Sequence, residues 1–285
     1  MGFRKITSES REPKLKAPPG ACDTHMHFYN AKFPTAPSAL MTPEDAWIDD
    51  YEVLQRHLEL ERVVAVQPST YGLDNSCQIE AMTAFGDQIR GIFVVDDRTP
   101  ERELDRLTKL GGRGARFHML PGGAVPWDTL ETVAARVHDF GWHIQLQLNG
   151  RELLEREAML KRLPGGLVID HVGRFTPPVD PGHEAFMVLL RLLEGGNVWV
   201  KLSAPYESFA GEPLDYGKIA VEARALVAAA PQRMLWASNW PHPGKDWLPE
   251  DAQHLDLLLD WVDDVAVRDR ILVDNAVELY GFGSE

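Results

Sequence analysis

The chain has 285 residues, of which 44% are hydrophobic, 25% charged and 9% aromatic, as in ordinary folded globular proteins and unlike disordered or fibrous chains. Its net charge of -14 would repel the phosphates of nucleic acid and an anionic bilayer, so we expect neither as a partner. The two cysteines, Cys22 and Cys77, give almost no support for a disulfide framework or a thiolate zinc site, and a reducing cytoplasm fits them.

The N-terminal segment, residues 1–18, contains neither the apolar stretch of a signal peptide nor an apolar run long enough to cross a membrane. We predict that it is a solvated tail. No linker rich in proline, glycine or serine divides the rest of the chain, so residues 19–285 are predicted to form a single domain.

Eight short apolar, β-branched segments follow in chain order and are predicted to be strands. They are GACDTHMHF around Asp23, RVVAVQPS from Arg62, IRGIFVVD from Ile89, GARFHML from Gly114, WHIQLQLNG from Trp142, LVIDHVG from Leu167, NVWVKLS from Asn197 and MLWASNW from Met234. Segments of helical period separate them; in one, Leu104, Leu107 and Leu110 recur before Gly111. The alternation predicts an α/β fold, a (β/α)8 TIM barrel, with a doubly wound open sheet as the alternative.

In such a barrel, reactive groups lie at the C-terminal ends of the strands, and side chains alternate in direction along each strand. This rule predicts a polar mouth, too polar to serve packing alone. Its predicted members are His25, His27, Arg116, His118, Gln147, His171, Lys201 and Asn239.

The period of two predicts that Asp23, His25 and His27 share one side of the first strand, where the two imidazoles are close enough to ligate one ion or to hold one small polar substrate. Two hydrogen-bonded core histidines are the structural alternative. His171, which closes the sixth strand, favours a functional site. His242 lies beyond the eighth strand, and we interpret it as structural.

Four motifs carry a resemblance to a known family: DTHMHF at the first strand, DHVGR at the sixth, WASNWPHP at the eighth and the closing DNAVELYGF. From about Pro19 to Phe282 the chain resembles the amidohydrolase superfamily. Within it, the resemblance is to the lactone-acting branch that includes 2-pyrone-4,6-dicarboxylate hydrolase, sugar lactonases and D-galactarolactone isomerase. The resemblance implies a (β/α)8 barrel and places His25, His27 and His171 in the active site, where they could donate to an oxyanion.

The expected metal content follows from a departure from the superfamily pattern. Metal-dependent members commonly have lysine or glutamate ending strand four and histidine ending strand five. Here these places hold His118 and the pair Gln147 and Asn149. Three histidines and an amide could still hold one zinc, but an amide is a poor zinc ligand and the pyrone hydrolase branch works without metal. We therefore expect no metal and no other cofactor.

A second departure is Asn239, where the family pattern has aspartate as the general base. An amide cannot accept a proton in that way. Either the base has moved to a histidine, or the chain carries an isosteric exchange that removes the proton acceptor; we favour the exchange. A non-catalytic binding protein for sugar acids is the alternative from another class.

The substrate is predicted from the charges around the mouth. Arg116 is the first choice for binding a substrate carboxylate, with an ion pair inside the barrel to Asp23 or another acid as the structural alternative. Arg174 is the second choice and Lys201 the third. The loops after strands four and seven, MLPGGAVPW and APYESFAGEP, contain no basic residue, whereas neutral donors such as Ser69 and Tyr71 are plentiful.

One carboxylate and several hydroxyls describe a sugar-acid lactone, which is the predicted small-molecule partner. We predict an isomerase that converts D-galactaro-1,5-lactone to the 1,4-lactone by intramolecular acyl transfer. The alternative is a lactone hydrolase of the 2-pyrone-4,6-dicarboxylate hydrolase or sugar-acid lactonase type. Both reactions pass through a tetrahedral intermediate. The sequence leaves the sugar stereochemistry and the oligomeric state open.

Overall fold

Eight parallel strands form the framework of the computed structural model, which describes residues 5–209, 214–245, 247 and 249–283. All eight predicted strands are present. Their bounds are β1 Cys22–Met26, β2 Arg62–Val66, β3 Ile89–Phe93, β4 Gly112–His118, β5 His143–Gln147, β6 Leu167–Ile169, β7 Val198–Leu202 and β8 Met234–Trp236.

The strands pair in sequence order from β1 to β8. Just beyond β8, the backbone N–H of Asn239 donates to His25 O at 2.8 Å, and the N–H of His27 donates to Trp240 O at 2.8 Å. These two bonds join the last strand to the first. The (β/α)8 TIM barrel is therefore confirmed, and the open doubly wound sheet is wrong.

Helices connect the strands on the outside of the barrel. Their bounds are α1 Ile48–His57, α2 Ser76–Phe85, α3 Glu101–Lys109, α4 Leu130–His138, α5 Leu153–Leu160, α6 Glu184–Glu194, α7 Tyr216–Ala229, α8 Asp251–Trp261, α9 Val265–Asp269 and α10 Asn275–Tyr280. In α3, Leu104 and Leu107 are buried as their spacing predicts, and Gly111 follows in the left-handed region with φ 105°. Among the described residues, no helix is long and apolar enough to span a membrane.

Side chains alternate between the lumen and the helix-facing side of the sheet, except at an irregularity in β1. The register between β1 and β2 shifts between Asp23 and Met26. Asp23 turns away from the lumen to the helix-facing side, and there it accepts hydrogen bonds from Tyr51 of α1 and from Ser238. His25 points into the lumen. The prediction that Asp23 and His25 share one face is wrong, because the irregularity interrupts the period of two.

Part of the N-terminal segment packs on the barrel. One carboxylate oxygen of Asp256, in α8, accepts the backbone N–H groups of Lys14 and Leu15 at 2.7 and 2.9 Å, and the other binds Arg11. Leu15 is buried. The prediction of a fully solvated tail is therefore wrong for residues 11–15. Residues 1–4 lie outside the described part of the chain.

Candidate active site

A cavity of about 150 Å³ opens at the C-terminal ends of the strands, where the sequence placed the polar mouth. Seven of the predicted site residues line it: His27, Ser69, Arg116, His118, Gln147, His171 and Asn239. Residues remote in sequence converge here because every parallel strand ends at the same rim.

Arg116, on β4, is only 4% exposed, and its guanidinium is held by neutral acceptors. It donates to Gln67 O and to Gln147 Oε1, both at 2.7 Å. Its Nε has no hydrogen-bond partner within the described residues, and no ion pair forms between Arg116 and any described carboxylate. The predicted alternative, an ion pair with Asp23, is wrong, since Asp23 faces α1. The cavity wall thus holds a cation without a counter-charge in contact.

The position of the Gln147 side-chain carbonyl determines which ring nitrogen of His118 carries the proton. Gln147 Oε1 already accepts from Arg116, and His118 Nδ1 lies 3.0 Å from the same oxygen. His118 Nδ1 is therefore the donor, which leaves Nε2 as an acceptor in the neutral ring. Burial and the nearby Arg116 lower the pKa of His118 to about 4, so the ring is neutral at pH 7.

His25 and His27 belong to one directed chain of hydrogen bonds in the lumen. Lys201 Nζ lies 3.3 Å from His25 Nδ1 and donates to it. His25 Nε2 must then carry the proton that it donates to His27 Nε2 at 3.2 Å, and His27 Nδ1 donates to Val66 O at 2.7 Å. Every ring nitrogen of the pair is engaged. Neither histidine has a free N–H for an oxyanion, contrary to the expectation from the sequence.

Burial keeps these two rings uncharged. It lowers the pKa of His27 to about 3, assisted by the charge of Arg116. It also lowers the pKa of His25 well below its ordinary value, with the Lys201 ammonium as the next cause. His25 is fully buried and does not line the cavity. Its position indicates a supporting role beneath the site.

His171 keeps one ring nitrogen available to the cavity. Its Nδ1 lies 2.9 Å from Ser203 Oγ, a hydroxyl that can donate or accept, so this contact does not impose a tautomer. Burial lowers the pKa of His171 well below its ordinary value, which makes the ring neutral at pH 7. The residue follows β6 in the left-handed region, at φ 55°. This turn brings the side chain over the rim.

A buried chain of side chains fixes the amide of Asn239. His242 Nε2 lies 2.9 Å from the carboxylate of Asp251, and His242 Nδ1 lies 2.6 Å from Tyr206 OH. The Tyr206 hydroxyl oxygen, held in this way, accepts a hydrogen bond from Asn239 Nδ2 at 2.9 Å. The amide oxygen of Asn239 is consequently left for the cavity. His242 itself does not line the cavity, which agrees with its structural interpretation.

Three residues predicted to bind substrate do not reach the cavity in this structure. The Tyr71 hydroxyl bonds the backbone of Asn30 at 2.9 and 3.3 Å. Lys201 is completely buried below the rim. Arg174 pairs with Glu207 at 3.4 Å instead of projecting inward. The sequence placed these residues at or near the strand ends, but their contacts in the structure direct them elsewhere.

Two titratable residues of the cavity wall, Tyr29 and Glu207, were not among the predicted site residues. Tyr29 continues the alternation of His25 and His27 beyond the end of β1, a signal that could have found it. Glu207 lies in the loop after β7, where no periodicity indicates the direction of a side chain.

A metal would find one candidate cluster among the described residues, formed by His25, Asp170 and His171, with ligand atoms within 4.8 Å of one another. However, Lys201 Nζ lies 3.3 Å from His25 Nδ1 and 3.7 Å from Asp170 Oδ1. Burial lowers the pKa of Lys201 to about 8, which leaves most of it protonated at pH 7. An ammonium at this position repels a divalent cation, so the cluster does not fit a metal ion.

Comparison with known proteins agrees with this architecture. The family model described as amidohydrolase matches residues 22–282, which is nearly all of the chain. The chain belongs to the amidohydrolase family.

The similar proteins include enzymes that act on lactones. The chain is 32% identical to the D-galactarolactone isomerase of Agrobacterium fabrum, over 97% of this chain and 96% of that protein. It is 34% identical to the 2-pyrone-4,6-dicarboxylate hydrolase of Comamonas testosteroni, over 94% and 92% of the two chains. A crystal structure of an apo protein from Agrobacterium tumefaciens, 32% identical, superposes with a TM-score of 0.90 over 96% of this chain and all of that one.

Proposed function

We propose that this amidohydrolase-family protein is a lactone-acting enzyme, and specifically an isomerase that converts D-galactaro-1,5-lactone to the 1,4-lactone. The similarity to lactone-acting enzymes supports the broad class. The observation that carries the specific proposal is Arg116: a buried guanidinium on the cavity wall, held only by neutral acceptors. It calls for one substrate carboxylate, and a galactarolactone has one.

The cavity can also hold the hydroxyls of such a substrate. The oxygen of Asn239 and the Nε2 of His118 are acceptors, and Ser69 adds a hydroxyl. These groups are neutral, so they select a substrate by the directions of its hydrogen bonds more than by its charge. We place the substrate carboxylate on Arg116 and its lactone ring between His171 and Asn239.

In this arrangement the reaction is an internal acyl transfer. The 4-hydroxyl lies beside Asn239 and donates its hydrogen bond to the neutral ring nitrogen of His171, while Asn239 Oδ1 accepts from the neighbouring hydroxyl of the substrate. These two bonds aim the 4-oxygen at the carbonyl carbon. As the new C–O bond forms, neutral His171 takes the hydroxyl proton. When the tetrahedral intermediate collapses and the original ring C–O bond breaks, His171 returns the proton to the departing ring oxygen. No proton is gained or lost overall.

A lactone hydrolase is the second candidate, because the same neutral His171 could take a proton from a water molecule in place of the 4-hydroxyl. The rim is open to solvent, and three of the similar proteins are hydrolases. The outcome then depends on whether the substrate hydroxyl or a water molecule occupies the position beside Asn239.

Proton NMR of freshly prepared D-galactaro-1,5-lactone with and without the enzyme separates the two candidates. An isomerase produces the 1,4-lactone before any open-chain galactarate accumulates. A hydrolase produces galactarate without prior enrichment of the 1,4-lactone. Spectra identical to the enzyme-free control for this lactone would contradict the proposed substrate.

A further inference from the structure

Glu207 places a carboxylate on the cavity wall, three strands around the barrel from Arg116. One of its oxygens lies 2.7 Å from Lys245 Nζ and the other lies 3.4 Å from Arg174 Nε. The three side chains come from the loops after β7, β8 and β6. Glu207 lines the cavity, whereas the two cations do not.

The three side chains are mostly buried, with 16% of Glu207, 19% of Arg174 and 21% of Lys245 exposed. At this burial the ion pairs are screened less than surface pairs. Arg174 Nε and Lys245 Nζ are directed at Glu207, and neither cation lines the cavity. Any substrate group that approaches this wall meets the Glu207 oxygens first.

The geometry points to Glu207 as a specificity-determining residue that restricts the site to substrates with a single carboxylate. This inference rests on the proposed function and specifies its substrate class. A carboxylate bound to Arg116 leaves the far end of the substrate against Glu207. A substrate hydroxyl at this end can donate a hydrogen bond to the Glu207 carboxylate. A second substrate carboxylate has no proton to donate, and its oxygens would face those of Glu207.

Glu207, Arg174 and Lys245 together carry a net charge of +1, so the group does not repel anions at long range. Discrimination arises at contact, where two like charges placed together repel each other and unpaired polar groups add to the penalty. Removing the charge of Glu207 raises the net charge of the three residues to +2 and frees two cations for a second carboxylate. Removing the charge of Arg174 instead lowers this net charge to zero.

The test compares two planar ligands that differ at one group, isophthalate and 3-(hydroxymethyl)benzoate, by titration calorimetry. We expect the wild-type protein to prefer the hydroxymethyl compound. Glu207→Gln should shift the ratio of affinities towards isophthalate by at least about tenfold. Arg174→Gln should shift it in the opposite direction. Glu131→Gln, which removes a surface partner of Arg162, is the matched control and should change nothing.

If Glu207→Gln gains no affinity for isophthalate, including the case in which neither protein binds it, the inference is overturned. The inference is also overturned if Arg174→Gln shifts the ratio of affinities towards isophthalate. Should Glu207→Gln fail to fold by circular dichroism, the Arg174→Gln result still decides. Because this experiment measures binding alone, it is independent of the NMR assay: the selectivity can shift although galactarolactone is not converted, and conversion can occur without any shift.

Discussion

Replacing Arg116 with methionine tests the proposed carboxylate anchor most directly. Methionine retains much of the apolar length of the side chain and removes the guanidinium that faces the cavity. If the substrate carboxylate pairs with this buried charge, its loss should cost about 2 to 5 kcal/mol of binding. That range corresponds to about 30-fold to several thousand-fold in Kd, at 1.4 kcal/mol for each factor of ten.

Arg116→Met should also reduce the stability of the folded protein, but by less than it weakens substrate binding. Gln67 O loses its donor, whereas Gln147 Oε1 keeps the one from His118. One unsatisfied acceptor costs about 1 to 3 kcal/mol, partly offset by removal of a buried charge. Thermal unfolding must therefore show that Arg116→Met is folded at the assay temperature.

Two ligands separate charge recognition from general damage to the site. D-galactaro-1,4-lactone has a carboxylate where D-galactono-1,4-lactone has a hydroxymethyl group. By calorimetry, Arg116→Met should weaken the first strongly and the second little, and Arg116→Lys should lie between because it keeps a charge without the bidentate geometry. Arg113→Met, whose guanidinium bonds Tyr280 O at the opposite end of the barrel, is the control. Equal losses for both lactones would refute the anchor.

Four further predictions follow from the same geometry. Prolonged chelation should leave turnover unchanged because the Lys201 ammonium lies beside two of the three candidate metal ligands, His25 and Asp170, and repels a cation there. Loss of activity that zinc alone restores would contradict this. Asn239→Asp should raise turnover, by up to the 10²- to 10⁴-fold typical of a well-placed general base, because a buried carboxylate is a stronger base than an imidazole whose pKa is depressed; an unchanged rate would leave proton transfer to His171 or His118. Tyr206→Phe should lower kcat about 2- to 10-fold, because the Asn239 amide loses the bond that fixes its orientation; a change in KM alone would argue against this positioning role. Finally, the melting temperature should fall as the pH drops from about 6.5 to about 4, because the unfolded chain binds protons on histidines that the folded chain keeps neutral: burial lowers the pKa of His118 to about 4 and that of His27 to about 3. His118→Gln removes one of these contributions and should reduce the dependence without abolishing it; an unchanged steepness would contradict the contribution of His118.

The fold and much of the candidate site could be predicted from the sequence alone because both depend on local periodicity. Alternation of strand and helix patterns indicated the barrel, and the period of two placed Arg116, His118 and Gln147 on one face. Parallel strands carry those faces to a common rim, so the members of the site could be named without knowing any contact. Where the period was interrupted, at the irregularity of β1, the prediction for Asp23 was wrong.

Only the tertiary structure decided what each polar group does. The direction of hydrogen bonding from Lys201 through His25 to His27, and the orientation of the Asn239 amide, depend on partners that are distant in sequence. Glu207 joins Arg174 and Lys245 from three separate loops, whose backbone paths follow no periodic rule. Periodicity determines which face a residue occupies, but the donor or acceptor that it meets is determined by the packing of the whole barrel.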